Sequence, residues 1–283
     1  MAGMEHLFTF NILIKKMQKI GKIKVENNLK ETILKSVNEI GGFKQFVKTG
    51  DVVFLKPNFN TADPFPASTD LEFLRTVVKI VYEFGAKLVM IGDSSTMTTN
   101  TRKIMEKLGV FELLSMEIPP RIYIFEEGEW IKKEIPQGKY LKSVFVPKIL
   151  NRPDKLILLP CLKTHFQAQF SGSLKLSVGF IKPFQRVPLH IRNIQEKIAE
   201  LNKVINPDLV IMDARKCFIN KGPANGDLTE PNLILASCNR VALDIEGIKI
   251  IQSFKGNSLK NIEPSELPQI KRAIEIGIDR GKD

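Results

Sequence analysis

The segment Lys155-Leu156-Ile157-Leu158-Leu159 is followed at once by Pro160-Cys161-Leu162-Lys163-Thr164-His165, so an apolar run ends in a cluster of reactive side chains. A continuous apolar run of this length, bounded by a proline, is typical of a buried β-strand. Between positions 163 and 179 the chain carries two lysines, one histidine, three serines and two glycines. A plain turn needs none of these groups, and their density therefore predicts a functional site.

Further apolar runs recur along the chain, with helical patterns between several of them. They lie at Val52–Leu55, Leu88–Ile91, Arg121–Phe125, Ser143–Val146, Leu209–Met212 and Leu233–Ala236. Strands that alternate with helices predict an α/β fold with a mostly parallel sheet and flanking helices. We expect a single α/β unit over residues 1–283, in which residues 119–147 form a candidate small antiparallel insertion or subdomain.

Two amphipathic helices are well marked in the sequence. The first has capping-box spacing between Thr69 and Glu72 and a stop signal at Gly85, and its apolar stripe consists of Leu71, Leu74, Val78 and Val81. The second runs from Ile191 to Ile205, with apolar residues at intervals of three and four, and ends before a proline. Both stripes are predicted to pack against the core.

The net charge of +11 raises the question of an anionic partner. Basic and acidic residues are interleaved along the chain, and no arginine-rich or lysine-rich block of about 5–8 residues occurs. A solvated surface accounts for most of this charge, and a pocket for a small anionic ligand is the next hypothesis. Nucleic-acid binding would rest on net charge alone and is not expected.

The three cysteines, Cys161, Cys217 and Cys238, are far apart and contain no C-x-x-C pair. This spacing predicts neither a disulfide framework nor a zinc or iron–sulfur site, and the cytoplasm is the expected compartment. The apolar stretch Leu7–Ile14 is too short to span a bilayer and is followed by lysines. We therefore expect an ordinary amino-terminal element there and no membrane association.

Polar side chains follow several of the predicted strands. Lys56 and Asn58 come after the first, Asp93 and Ser94 after the second, Lys163 and His165 after the fifth, and Asp213 after the sixth. Ligands of parallel α/β sheets bind outside the carboxyl ends of the strands, so these side chains should converge. The alternative is that they are turn formers and helix caps, for which the same residue types are favoured.

We predict three roles for these residues. Catalysis is assigned to His165, as acid, base or metal ligand, and to Lys163. The predicted contacts to an anionic small ligand are Lys56, Asn58, Asp93, Ser94, Ser171 and Lys175. A metal ion would be bound by His165, Asp213 and Asp244. The expected cofactor is a metal ion or a nucleotide-like molecule.

Several separate motifs resemble the DUF362 family of bacterial and archaeal proteins. They are Asp51–Asn58, Leu159–His165, Ser173–Gly179, Pro207–Asp213, Gly222-Pro223 with Gly226, and Ala236–Asp244. Many relatives in that family resemble fusions to ferredoxin-type modules, which implies a redox or iron–sulfur association. This chain has no such cluster ligands, and it carries Leu176 and Asn239 where the family pattern commonly has Asn and Asp. The resemblance implies an accessory protein that partners a redox protein, as an alternative to an enzyme.

A second, local resemblance is to the nickel-pincer lactate racemase family. It covers the eleven residues from His165 to Lys175, with Ser173 in place of the second glycine of that family's pattern. The resemblance implies that His165 is a metal ligand. Whether the protein is an enzyme, and which substrate it uses, the sequence leaves open.

Overall fold

The computed structural model describes residues 19–279. Within them the chain forms an α/β fold with a mostly parallel central sheet, flanking helices and a separate two-stranded antiparallel sheet. The predicted fold class is therefore confirmed. The element expected over Leu7–Ile14 lies outside the described residues, and no helix within them is long and apolar enough to cross a membrane.

The strands and helices are numbered here in chain order. The strands are β1 (Gly21–Lys24), β2 (Val52–Lys56), β3 (Leu88–Asp93), β4 (Arg121–Ile124), β5 (Trp130–Glu134), β6 (Ser143–Pro147), β7 (Lys155–Leu158), β8 (Cys161–His165), β9 (Gln169–Ser171), β10 (Leu209–Phe218), β11 (Leu228–Thr229) and β12 (Leu233–Ser237). The α-helices are α1 (Leu29–Asn38), α2 (Leu71–Glu83), α3 (Thr101–Lys107), α4 (Ser173–Leu176), α5 (Arg186–Ile191), α6 (Ile194–Leu201), α7 (Arg240–Gln252) and α8 (Pro268–Glu275).

Among the described residues ten strands form one sheet, and its main path runs in the order β1-β12-β10-β7-β2-β3-β4. The strands from β10 to β4 along this path are parallel, whereas β1 and β12 are antiparallel additions at one edge. Strand β8 continues the parallel pairing beside the far half of β10, and β9 folds back against β8. All seven apolar runs marked in the sequence are strands.

The core lies on both faces of the sheet. Along β2, Phe54 belongs to one buried apolar cluster, and its neighbours Val53 and Leu55 belong to the other. This alternation follows from the two-residue period of a strand, since both faces are covered. Helices and loops on the two faces leave the carboxyl ends of β2, β3 and β7 as the place where polar side chains can meet.

The first predicted helix begins one residue later than its capping-box spacing indicated. The N-cap of α2 is Asp70, whose carboxylate accepts a hydrogen bond from the Phe73 amide at 2.9 Å. The Thr69 hydroxyl instead accepts the amide of Asn58 at 2.7 Å and ties the loop after β2 to the helix. Gly85 follows the helix with φ +94°, as the stop signal predicted.

The second predicted helix is wrong as a single element. Ile191 ends α5, Arg192 is extended, and Asn193 has φ +53° before α6 begins. The stripe from Ile194 to Ile205 packs against the core as predicted, whereas Ile191 is 69% exposed, because the break separates it from that face. The break turns α5 toward the ends of the parallel strands.

The expected antiparallel insertion is smaller than residues 119–147. Strand β4 is a parallel edge strand of the main sheet, and only β5 and β6 pair as a separate antiparallel hairpin. The turn of this hairpin is held by the buried carboxylate of Glu200, which accepts the amides of Lys139, Tyr140 and Leu141 at 2.8 Å each.

Candidate functional site

A cavity of about 500 Å³ opens where the parallel strands end. Its walls come from the ends of β2, β3 and β8, from β9, and from the short helices α4 and α5. Eight of the residues singled out from the sequence line it, namely Lys56, Asn58, Asp93, Ser94, Lys163, His165, Ser171 and Lys175. The structure thus brings these side chains together, and the roles assigned to them stay predictions.

Lys56 and Asp93 form an ion pair in the wall of the cavity. The Lys56 Nζ atom lies 2.7 Å from Asp93 Oδ1, and the two side chains are 1% and 3% exposed. Nζ also donates to the carbonyl of Pro57, while Asp93 accepts the amides of Phe59 and Ser94, all at 2.7 Å. Burial lowers the pKa of Lys56, and the neighbouring Asp93 carboxylate opposes that shift. Both groups are satisfied by the protein itself.

The other polar residues on this side of the cavity are also engaged. Asn58 donates its side-chain amide to the Ala67 carbonyl at 2.8 Å, and the Ser94 hydroxyl donates to Glu126 Oε1 at 2.9 Å. Gly179 closes the wall, because a Cβ atom there would lie 2.7 Å from the Lys56 ammonium nitrogen. These contacts fix the shape of the wall.

Lys163 is nearly inaccessible and has no carboxylate partner in the described part of the chain. Its ammonium donates to the carbonyls of Pro66 and Ala67 at 2.8 and 2.5 Å, so it anchors the loop after β2. Burial lowers its pKa. Beside it, burial raises the pKa of the Cys161 thiol to about 11, and this cysteine is therefore a neutral thiol at physiological pH.

His165 ends β8 with its ring against the cavity. Its Nδ1 atom accepts the amides of Gln167 and Ala168 at 3.1 Å each, so the proton of the neutral ring resides on Nε2. Burial, followed by the positive charge of Lys175, lowers the pKa of His165 to about 2. The ring is thus a neutral hydrogen-bond donor in this conformation, whereas a metal ligand would need an unprotonated nitrogen facing the ion.

Lys175 stands apart from the other cations of the cavity. It is half-buried on α4, and its ammonium has no hydrogen bond or ion pair to any residue between 19 and 279. Burial, followed by the charges of Lys163 and Arg186, lowers its pKa to about 7. Ser171, half-buried on β9, lines the cavity two residues before the start of α4. Lys175 is therefore a cation whose counter-charge the described chain does not supply.

Sequence reasoning missed Arg186 and interpreted His190 as a residue of a helix cap. Both line the cavity from α5, at the i and i+4 positions of one helical face. Arg186 is 5% exposed and donates to the carbonyls of Ser95, Gly179 and Ile181, and no carboxylate of the described residues contacts it. The four-residue spacing between Arg186 and His190 could have indicated a shared helical face. It was overlooked because the predicted helix was taken to begin at Ile191.

His190 has the opposite tautomer to His165. Its Nδ1 lies 2.6 Å from the Arg186 carbonyl and must donate to it, which leaves an unprotonated Nε2 in the neutral ring. Burial lowers the pKa of His190, partly offset by this hydrogen bond. The cavity therefore holds one imidazole with a free donor and one with a free acceptor.

Asp213 and Asp244, both predicted to bind a metal, do not line the cavity. Asp213 lies in the middle of β10 and is paired with Arg215, whose guanidinium also contacts Asp70. Asp244 is fully buried on α7 and accepts the amides of Ser173 and Leu174 at 2.6 and 3.0 Å. Asp244 thus satisfies the first amides of α4 and positions the helix that carries Lys175.

The predicted metal set of His165, Asp213 and Asp244 is not brought together as one group. Across residues 19–279 no group of three or more His, Cys, Asp or Glu side chains is arranged to hold a metal ion. The physical reason is that each aspartate is consumed by protein partners, a guanidinium for Asp213 and helix amides for Asp244.

The family model described as "Domain of unknown function (DUF362)" matches residues 53–249, the segment that contains every wall of the cavity. The chain belongs to the DUF362 family. A thylakoid-associated protein from Synechocystis is 28% identical over 249 residues, which cover 85% of this chain and 72% of that protein.

Two solved structures resemble the fold more distantly. A Thermotoga maritima protein matches 89% of this chain with a TM-score of 0.46, and the lactate racemase apoprotein from Thermoanaerobacterium thermosaccharolyticum matches 81% with a TM-score of 0.47. Each is 13% identical to this chain, which spans 59% and 57% of their lengths respectively.

Proposed function

We propose that this DUF362 protein binds a small anionic ligand in the cavity, with the Lys175 ammonium as its main charged contact. The observation that carries the proposal is the unpaired state of that ammonium at the wall of the cavity. Half-buried charges are normally paired, because desolvation of an unpaired ammonium is unfavourable. An anionic ligand would supply the missing counter-charge.

The charge balance of the cavity supports the same proposal. Its described lining contains Lys56, Lys163, Lys175 and Arg186 but a single carboxylate, that of Asp93. Asp93 is already neutralised by Lys56 at 2.7 Å. Within residues 19–279, the hydrogen bonds of Lys163 and Arg186 go to carbonyl oxygens, which are neutral and supply no counter-charge. A cavity with this excess of positive charge attracts anions over several ångströms.

The two histidines extend this proposal toward catalysis. Against a bound ligand, the neutral His165 ring can donate a hydrogen bond from its Nε2–H group, and the unprotonated Nε2 atom of His190 can accept a proton. Lys175, with its pKa lowered to about 7, is a second group able to exchange a proton near neutral pH. We therefore favour an enzyme that transfers a proton to or from an anionic substrate.

Titration with methyl phosphate and with acetate tests the binding proposal. We expect both anions to raise the melting temperature of the wild-type protein at constant ionic strength, and Lys175→Met to weaken binding by about tenfold or more. Lys255→Met is the matched control, since it removes the same charge from an exposed position outside the cavity. Equal binding by the two variants, or no binding by the wild type, would overturn the proposal.

A further inference from the structure

The lining of the cavity includes a set of exposed apolar side chains. They are Met97, Phe166, Val187 and Ile191, which are 48%, 73%, 44% and 69% exposed. We call these four residues the apolar rim. Exposed apolar groups gathered at one cavity, beside polar groups, are typical of a ligand groove or an interaction site.

The apolar rim is held in place by the same elements that build the cavity. The Phe166 ring stacks on the His165 ring with centroids 4.9 Å apart, so one aromatic face is fixed and the other remains exposed. Val187 and Ile191 share one face of α5, which Arg186 anchors through its carbonyl contacts. The exposure of the rim is therefore built into ordered structure.

The volume of the cavity admits a ligand much larger than a single inorganic anion. About 500 Å³ is within the range of sites that enclose drug-sized molecules. A lone phosphate or acetate at Lys175 would leave most of this volume and the whole apolar rim uncovered. A ligand that fills the cavity would therefore place a charged group against the cations and an apolar group against the rim.

We propose that the ligand is an amphiphilic anion, a single dissolved molecule with a negatively charged head group at Lys175 and an apolar chain across the rim. This inference rests on the proposed function, because it assumes that the interior binds an anion. The arrangement follows from the exposure of the lining residues, because its cations are buried or half-buried whereas the four residues of the apolar rim are exposed. Burial of the chain removes apolar area of both ligand and rim from water.

Alkyl phosphates of increasing length test this assignment, with methyl, butyl and octyl phosphate kept below their micelle concentrations. Each methylene covered by the rim should tighten the dissociation constant by about threefold, so coverage of about three methylenes would make octyl phosphate bind roughly 30-fold more tightly than methyl phosphate. The double variant Met97→Ser/Ile191→Ser should lose about tenfold of the octyl phosphate affinity. Leu114→Ser/Ile118→Ser is the matched control, since both side chains are exposed outside the cavity and should not contribute.

The outcomes separate the two proposals. If no alkyl phosphate binds, the proposed function fails. If methyl phosphate binds but chain length brings no gain, or the gain survives in the rim variant, the amphiphile assignment fails while the anion site stands. Binding only to vesicles of phosphatidylcholine and phosphatidic acid, and to none of the dissolved phosphates, would also overturn the assignment and indicate a membrane surface as the partner.

Discussion

The polar side chains on the two sides of the cavity differ in whether the protein itself satisfies their hydrogen bonds and charges. On the paired side, formed by Lys56, Asn58, Asp93 and Ser94, every one of these side chains is bonded to another part of the protein. On the open side, formed by His165, Lys175 and His190, each side chain keeps a polar atom without a described partner. The comparison suggests that the paired side maintains the wall and the open side meets the ligand.

The largest expected effect comes from breaking the paired side. Lys56→Met leaves the Asp93 carboxylate buried without its counter-ion and should lower the free energy of unfolding by about 3–5 kcal/mol. Urea denaturation measures this value. The double variant Lys56→Met/Asp93→Leu should recover much of the loss, because no unpaired charge remains. A loss below about 1 kcal/mol in the single variant would show that the pair does not hold the wall.

On the open side, removal of a lysine should increase the free energy of unfolding instead of lowering it. Lys175→Met removes a desolvated, unpaired ammonium and should raise the free energy of unfolding of the ligand-free protein by about 1–3 kcal/mol at neutral pH. The same substitution should weaken anion binding by about tenfold or more. Urea denaturation of both proteins checks the prediction, and a loss of stability would mean that Lys175 has a structural partner.

The stability gain of Lys175→Met should also depend on pH. The pKa of Lys175 is about 7 in the folded protein and 10.5 in its ordinary state, so the unfolded chain binds the extra proton between these values. The wild-type protein therefore gains stability relative to the variant as pH rises from about 7 to 10.5. The difference in free energy of unfolding between Lys175→Met and the wild type should be largest below pH 7 and should shrink steadily above it.

The fold was largely predictable from the sequence because its signals are local. Runs such as Val52–Leu55 are bounded by turn residues, and the rule that parallel strands present their carboxyl ends together places Lys56, Asp93 and His165 in one region. The structure confirms that convergence. What the sequence could not show is which of these side chains would be paired, since Lys56 and Lys175 are both lysines near a strand end.

The errors arose where one pattern fits two structures. Asp213 was placed at a strand end, but β10 continues to Phe218 because β8 offers a second pairing partner. Asp244 was predicted to bind a metal because it is a carboxylate among apolar residues. Only the folded structure shows that this carboxylate accepts hydrogen bonds from the first amides of α4. Arg186 and His190 were undervalued because the apolar spacing of two short helices resembled one long helix.

Anion binding should itself depend on pH through the open side. Binding favours the protonated form of Lys175, so affinity should fall by up to about tenfold per pH unit above pH 7, with uptake of a proton from solution. Calorimetry in buffers of different ionisation enthalpy measures the uptake. Lys175→Arg stays charged throughout this range and should bind with little pH dependence. A wild-type affinity that is constant from pH 6 to 9 would remove Lys175 from the site.

The smallest effect, and the sharpest test of the open side, concerns its two histidines. The His165 ring should remain neutral as pH falls from about 8 to 5, because its pKa is lowered to about 2, whereas an ordinary histidine titrates near 6.5. Nitrogen NMR should find the ring proton on Nε2 in His165 and on Nδ1 in His190, as their backbone contacts require. His165→Gln and His190→Gln variants assign the two signals. A His165 signal that titrates near its ordinary pKa would mean that the ring reaches solvent, and it would contradict the role of this ring as a permanently neutral hydrogen-bond donor.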